Sequence, residues 1–316
     1  MVKNLPRYLL YMLRIRRVEF RIAEIPILLI PIFLLARDTA VFKTFAFWEG
    51  IFIFFLLFAF GDMINCLADR DLDAVYKPHL SEAVYGLGVP FVTFQVAASA
   101  ALALVLSVHL SLTLNRWMIL GLVVAGLILG GAYSVKPVQL KGRGWLQLVC
   151  LWLIIFVGPM LYVALLVGAD FSIALIVFAA AFGTLQMGII LINTAEDYPE
   201  DLAAGIKTII VTLGLQNGIR LAVWLVVSGA AAALGTLGVL FWQSKVKFWV
   251  LSLLPAIIAC LYVIKGVWKL NLLITRSELA ESIQTVKQFA KKVPLWITIA
   301  AWSILLATFS LFYFSR

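Results

Sequence analysis

Apolar runs, each close to twenty residues long, recur along the whole chain and are broken only by short polar stretches. They fall at 22–36, 45–64, 85–109, 116–134, 146–168, 171–192, 215–242, 247–268 and 293–314. A run of about 20 apolar residues spans the ~30 Å hydrocarbon core of a bilayer as a helix, and a helix satisfies its own backbone polar groups in lipid. The pattern predicts an all-α, polytopic membrane protein with nine transmembrane helices. The first run is short if it starts at Pro26 and lengthens if "RVEFRIAEI" enters the interface. The even spread predicts one integral-membrane domain over 1–316, with 1–21 as a basic N-terminal segment.

Composition excludes a water-soluble fold. The chain is 64% hydrophobic with a mean hydropathy of +1.06, against ~45–50% apolar in soluble domains. No small-residue cleavage site follows the first run, so no signal peptide is expected. Cys66, Cys150 and Cys260 lie far apart, in or beside apolar runs, and suggest neither a disulfide framework nor a metal cluster. His79 and His109 are too few for a histidine metal site. The net charge of +9 is explained by residues flanking membrane helices, so no nucleic-acid partner is expected. With the N-terminus inside, 19 of the 25 basic residues fall on the cytoplasmic side, leaving Arg37, Lys43, Arg116, Lys245, Lys247 and Arg316 outside. That bias fits an odd number of spans and a cytoplasmic N-terminus. Trp48, Trp117, Trp145, Trp242 and Trp249 sit near helix ends, as an interfacial belt would.

The acids are not scattered. Nine of the 16 fall between Asp62 and Glu82 or between Glu196 and Asp201, at the cytoplasmic ends of the second and sixth runs. Asn65, Asp69 and Asp73 are spaced by four, as are Asn193, Asp197 and Asp201, 128 residues later. Residues at i, i+4 and i+8 share a helix face, so each stretch is expected to present an amide and two carboxylates in a row. The recurrence hints at a duplicated half-bundle. Like charges at this spacing repel, and more strongly near lipid. An all-oxygen donor set suits a hard ion, and Mg²⁺ favours a few carboxylates with phosphate oxygens and water. The expected ligand is a magnesium-bound phosphate or diphosphate, which also calls for direct cations. Lys77 and Lys207 follow the two rows, and "AYSVKPVQLKGRGW" places Tyr133, Lys136, Lys141 and Arg143 at the same end. Pro137, Gly142 and Gly144 mark that stretch as a shaped loop. Arg70 reads as an ordinary positive-inside residue.

Taken in order, these motifs resemble the UbiA superfamily of intramembrane prenyltransferases. "NCLADRDLD" resembles the family's Asn-Asp-x-x-Asp-x-x-x-Asp, with Asn65, Asp69 and Asp73 in register. "EDYPEDLAAGIKTIIVTLG" resembles Asp-x-x-x-Asp followed by Gly, Lys and Thr, with Asp197, Asp201, Gly205, Lys207 and Thr208. "YSVKPVQLKGRG" resembles the Tyr-Ser-x-x-Pro…Leu-Lys-x-x-Gly segment. The likeness covers about 60–215. It implies nine helices around a central cavity with a cytoplasmic polar cap, and Mg²⁺ bridging a prenyl diphosphate to both acidic motifs. Two departures stand out. Cys66 replaces an Asp, with Asp62 on the usable face and Asp71 pointing about 160° away on a continuing helix. "YKPHLSEAVYGLG" keeps only Lys77 and Pro78 of an Arg-Pro-x-x-Ser-Gly-like stretch, next to the acceptor side.

The implied activity is magnesium-dependent transfer of a prenyl group to a lipophilic acceptor, such as an aromatic or quinone precursor. Asp69, Asp73, Asp197 and Asp201, with Asn65 and Asn193, would hold the metal. Lys77, Tyr133, Lys136, Lys141, Arg143 and Lys207 would face the diphosphate. Phe58, Phe60, Tyr133 and Trp152 could shield an allylic cation, although packing explains each as well. Asp62 and Glu196 are candidate bases. The alternatives are a membrane terpene cyclase, a phosphoribosyl transferase acting on a lipid phosphate, and a cation-coupled transporter. Acids at helix ends and not at midspan count against the transporter. The expected location is a bacterial inner or plasma membrane, with the N-terminus and site loops cytoplasmic.

Overall fold

The computed structural model describes residues 5–36, 39–246 and 249–315. Lys3, Arg37, Lys247 and Arg316, which entered the charge pattern, lie outside the described residues. In chain order the helices are α1 (Leu5–Ile15), α2 (Arg21–Leu35), α3 (Phe45–Tyr76), α4 (Pro78–Leu87), α5 (Val89–Leu114) and α6 (Met118–Ser134). A two-residue strand β1 (Arg143–Gly144) precedes α7 (Trp145–Leu151), a π-helical stretch at Trp152–Val157 and α8 (Gly158–Leu166). Then come α9 (Ile173–Glu196), α10 (Tyr198–Ala203), β2 (Lys207–Thr208), α11 (Ile209–Leu213) and α12 (Leu215–Gln243). The chain closes with α13 (Trp249–Arg276), α14 (Leu279–Ala290) and α15 (Val293–Phe314).

Among the described residues, seven helical stretches are long and apolar enough to cross a membrane: α3, α5, α7 through α8, α9, α12, α13 and α15. The runs at 22–36 and 116–134 form α2 and α6, of 15 and 17 residues. Helix α6 stops at Ser134 because Val135 is extended (φ −93°, ψ 136°), leading into Lys136–Pro137. Helix α3 overruns its apolar run. Its 32 residues make a rod of ~48 Å at ~1.5 Å per residue, longer than a ~30 Å hydrocarbon core. The surplus carries the first acidic stretch. Thr44 starts this helix by accepting from Phe47 N (3.3 Å), and Lys77 with Pro78 ends it. Gly88 (φ 90°), where a side chain would be strained, separates α4 from α5.

The chain packs as two compact units. The first comprises the N-terminal segment through Arg21 and the chain from α3 to Leu140. Its core joins α1, α3, α4 and α5 through Tyr11, Met63, Cys66, Ala83 and Val92. Helix α1 is fastened to α4 at Glu82, which accepts from the Tyr11 hydroxyl (2.7 Å) and Arg7 Nη2 (2.8 Å). These hydrogen bonds, Tyr11's first, hold the Glu82 carboxyl below its ordinary pKa. A depressed folded value means that the fastening is intact above the unfolded pKa and is lost as pH falls through the folded one. A spin label at Leu10→Cys is expected to stay immobilised from neutral pH down to about 5 and to gain mobility only below about pH 4, the ordinary carboxylate range. With Glu82→Gln the label should be more mobile at every pH, and electron paramagnetic resonance reads both.

The second unit holds α2 and everything from Lys141 onward. Helix α9 is buried along most of its length, with Ser172 capping it by accepting from Leu175 N (3.1 Å). It lies against α12 at two glycines. A Cβ on Gly188 would fall 2.7 Å from Val226 N, and one on Gly229 would fall 2.7 Å from Leu185 Cα. Small residues at such crossings let helix backbones approach closely in membranes.

Candidate active site

The first row forms as expected on the C-terminal part of α3. Asn65 Nδ2 donates to Asp69 Oδ2 (3.0 Å) one turn on, and to Ser134 Oγ (3.3 Å) at the end of α6. A carboxylate only accepts, so the amide nitrogen must face it. The Asn65 carbonyl oxygen is thereby left to act as an acceptor or metal ligand. Asp73 is buried at 9% exposure, and its carbonyl accepts from Lys77 N (2.8 Å). Ser134, which joins the row as an acceptor, stands inside the "YSVKP" stretch but is not singled out by the sequence. Its signal was a small hydroxyl directly beside Tyr133.

The neighbours of the row are sorted by helix face. Asp71 points away, with a 73% exposed side chain that accepts from the Tyr85 hydroxyl and lies 3.7 Å from Arg70. Arg70 also donates to Leu67 O (2.7 Å), which fits its reading as an ordinary flank. Cys66 is 1% exposed and packs in the core under α1 and α4, off the carboxylate face. Asp62, considered as a stand-in for the acid replaced by Cys66, is bound to Arg21 in a half-buried ion pair. Phe60 is part of the same core as Cys66, so ordinary packing accounts for it. Lys136 is exposed and lines a cleft of about 370 Å³ with Arg70, Asp71, Ser134 and Gln139. Tyr133 and Lys77 are half-buried.

In the second unit the expected single helix face is broken. Helix α9 ends at Glu196, Asp197 (φ −80°, ψ 2°) is the joint, and α10 begins with Pro199 in its first turn. Proline has no N–H and its ring collides with the carbonyl four residues back, so α9 cannot run through. Asn193 therefore stays on α9, exposed, while Asp197 and Asp201 flank one turn. Asp201 N donates to Asp197 O (2.8 Å), and Ile206 N donates to Asp201 O (2.8 Å), closing the turn at Gly205 (φ 68°).

That turn delivers Lys207 to β2. Strand β2 pairs in parallel with β1, setting Arg143 beside Lys207 and Gly144 beside Thr208. Two cations proposed from separate motifs are thus ladder partners, both exposed. Thr208 Oγ1 caps α11 by accepting from Val211 N (3.4 Å), and buried Gln147 Oε1 accepts from Ile209 N (2.9 Å). Gly144 has φ +55°, and a Cβ there would meet Thr212 Oγ1 at 3.1 Å. Helix α10 packs against β2, so Asp197, Asp201, Arg143 and Lys207 share one end of this unit. Lys141 lies in the adjoining turn, buried at 8% exposure. Trp152 donates to Ala180 O (3.2 Å) and packs on Gly183.

Among the described residues no three His, Cys, Asp or Glu side chains form a ready-made metal cage. The first row instead offers two carboxylates and one amide oxygen, and the turn after α9 offers the two carboxylates of Asp197 and Asp201. That hard, incomplete donor set fits Mg²⁺, which keeps waters and takes oxygens from a phosphate-bearing substrate.

A helical membrane protein with these paired motifs falls in the class of intramembrane prenyltransferases. The chain belongs to the UbiA prenyltransferase family, whose profile matches residues 25–273. No curated protein sequence matches it. A structure from work on digeranylgeranylglyceryl phosphate synthase in membranes is similar at TM-score 0.66 and 17% identity, covering 96% of this chain and 99% of that one. A UbiA homologue from Archaeoglobus fulgidus bound to DMAPP and Mg²⁺ is similar at TM-score 0.59 and 17% identity, covering 93% of this chain and 98% of that one. The same homologue bound to GPP and Mg²⁺ aligns at TM-score 0.59 and 18% identity, over 93% and 99%.

Proposed function

We propose that this protein transfers a prenyl group from a prenyl diphosphate to a lipophilic acceptor, an aromatic or quinone precursor, in a magnesium-dependent reaction. The observation that carries the reading is the second motif, where Asp197 and Asp201 share one end of a unit with the paired Arg143 and Lys207. Carboxylates that hold a metal ion and cations that hold phosphate oxygens are the two parts that diphosphate departure needs. Asp69, Asp73, Asp197 and Asp201, with the amide oxygens of Asn65 and Asn193, are the metal-holding residues. Bound there, Mg²⁺ supplies positive charge that draws electrons toward the leaving diphosphate. Lys77, Lys136, Lys141, Arg143 and Lys207 bind diphosphate oxygens and orient the C–O bond, with Tyr133 beside them. The bond breaks with its electron pair going to the diphosphate, the acceptor's nucleophilic atom bonds to the allylic carbon, and the acceptor loses a proton. The N-terminus and the site loops face the cytoplasm, as the arginine-rich N-terminus suggests.

The deciding experiment incubates the full-length protein in proteoliposomes with DMAPP, GPP or a longer prenyl diphosphate, with and without a membrane lipid extract. Mass spectrometry should find prenylated products that need both the extract and Mg²⁺. A cyclised hydrocarbon or alcohol formed without extract would replace this reading with a cyclase. Cation uptake without diphosphate release would replace it with a transporter.

A further inference from the structure

The N-terminal helix α1 has two apolar faces. One packs on α4 through Tyr11 and Ile15. The other is a ladder of Leu5, Leu9 and Leu13, spaced by four and 57%, 57% and 51% exposed. Val18 and Phe20, in the turn between α1 and α2, are exposed as well. Beside the strip the chain places Arg7, Arg14, Arg16, Arg17 and Arg21, against a single local acid, Glu19. Three of the arginines are used inside the protein. Arg7 binds Glu82, Arg16 Nη2 donates to Gln95 Oε1 (2.6 Å), and Arg21 binds Asp62. Arg14 and Arg17 are held only loosely, with their nearest carboxylates at 3.7 and 3.6 Å. The Arg17 guanidinium lies over the Phe20 ring at 4.5 Å, and its Nε makes no hydrogen bond.

An amphipathic helix with leucines on one side and arginines along its edge is the pattern that lies in a membrane interface. We propose that α1 is such a helix, with its leucine ladder among the acyl chains of the adjoining leaflet and with Arg14 and Arg17 holding the phosphates of anionic phospholipids. The commitment to lipid rests on charge complementarity and on the exposed apolar residues that recur from Leu5 through Phe20 to Ile22. The internal ties then give lipid contact a route to the first motif, because α1 is fastened to α4 at Glu82 and the segment that follows it is tied to α5 by Arg16 at Gln95 and to α3 by Arg21 at Asp62.

The test uses the full-length protein. Cys66, Cys150 and Cys260 are all buried, so a bimane label introduced at Leu9→Cys reports one place. In vesicles of phosphatidylcholine and phosphatidylglycerol, the label should be quenched by brominated acyl chains and spared by aqueous iodide. Quenching by iodide, or protection from both quenchers as a second copy would give, overturns the proposal. Native mass spectrometry should find phosphatidylglycerol retained over phosphatidylcholine. That preference should fall about fivefold for each of Arg14→Gln and Arg17→Gln and persist in the lysine variants. An unchanged preference in the glutamine variants overturns the headgroup assignment, and near-UV circular dichroism confirms that each variant is folded.

Discussion

Asp69→Ala and Asp197→Ala are each expected to lower diphosphate release from a prenyl diphosphate by about 10²–10³-fold, the loss that follows removal of one group holding transition-state charge. Asp69 sits in an acid–amide row on α3, whereas Asp197 sits at a helix joint. Asp69 is steadied by Asn65, which Ser134 also holds. Asp197 is the joint between α9 and α10, and its carbonyl accepts from Glu200 N (3.0 Å) and Asp201 N (2.8 Å). Replacing either side chain removes negative charge without altering a backbone bond. The loss should therefore appear as a raised Mg²⁺ requirement together with a lowered rate. Asp71→Ala is the internal comparison, because Asp71 is exposed and engaged by Tyr85 and Arg70. It should keep activity within about threefold, as a change of an exposed side chain does, because Asp71, although it borders the cleft that Lys136 lines, is turned off the row. If Asp71→Ala falls as far as Asp69→Ala, the row is not the reactive face. A continuous diphosphate-release assay across a magnesium titration measures all three variants.

The second large effect belongs to packing. Gly229→Leu is expected to destabilise the second unit by about 3 kcal/mol or more, at or beyond the usual range for overpacking. A Cβ at Gly229 would collide with backbone, meeting Leu185 N, Leu185 Cα at 2.7 Å and Ala181 O at 2.9 Å. Backbone cannot swing aside as a side-chain tip can, so the two helices must separate. A Cβ at Gly235 on the same helix meets nothing within 4 Å, so Gly235→Leu should be nearly neutral. Thermal melting followed by size-exclusion chromatography in detergent separates the two outcomes. Because α9 carries Asn193 and leads into Asp197, Gly229→Leu should also cost activity in protein that remains folded.

Much of this was legible in the sequence, because helices in lipid are written in long apolar runs. Row spacing at Asn65, Asp69 and Asp73 gave the correct helix face, since α3 has no breaker there. The same arithmetic failed for Asn193, Asp197 and Asp201, because the period of 3.6 holds only on an unbroken helix and Pro199 ends it. The apolar run at 45–64 marks the span and not the whole helix. Hydropathy stops at the acids, whereas backbone hydrogen bonding continues to Tyr76. The pairing of Arg143 with Lys207 could not be read at all, because two-residue strands carry no periodic signal. The burial of Cys66 was hidden as well, since it depends on α1 folding back against α4.

The two-residue ladder has a consequence for how the chain between Asp201 and Lys207 can vary in length. Neighbouring residues in a strand project to opposite sides, and here the arginine and lysine face outward while Gly144 and Thr208 face inward. One residue inserted before the lysine would turn its ammonium inward and bring a different neighbour out in its place. The connection therefore tolerates changes in steps of two, and single-residue insertions there should be more damaging than double ones.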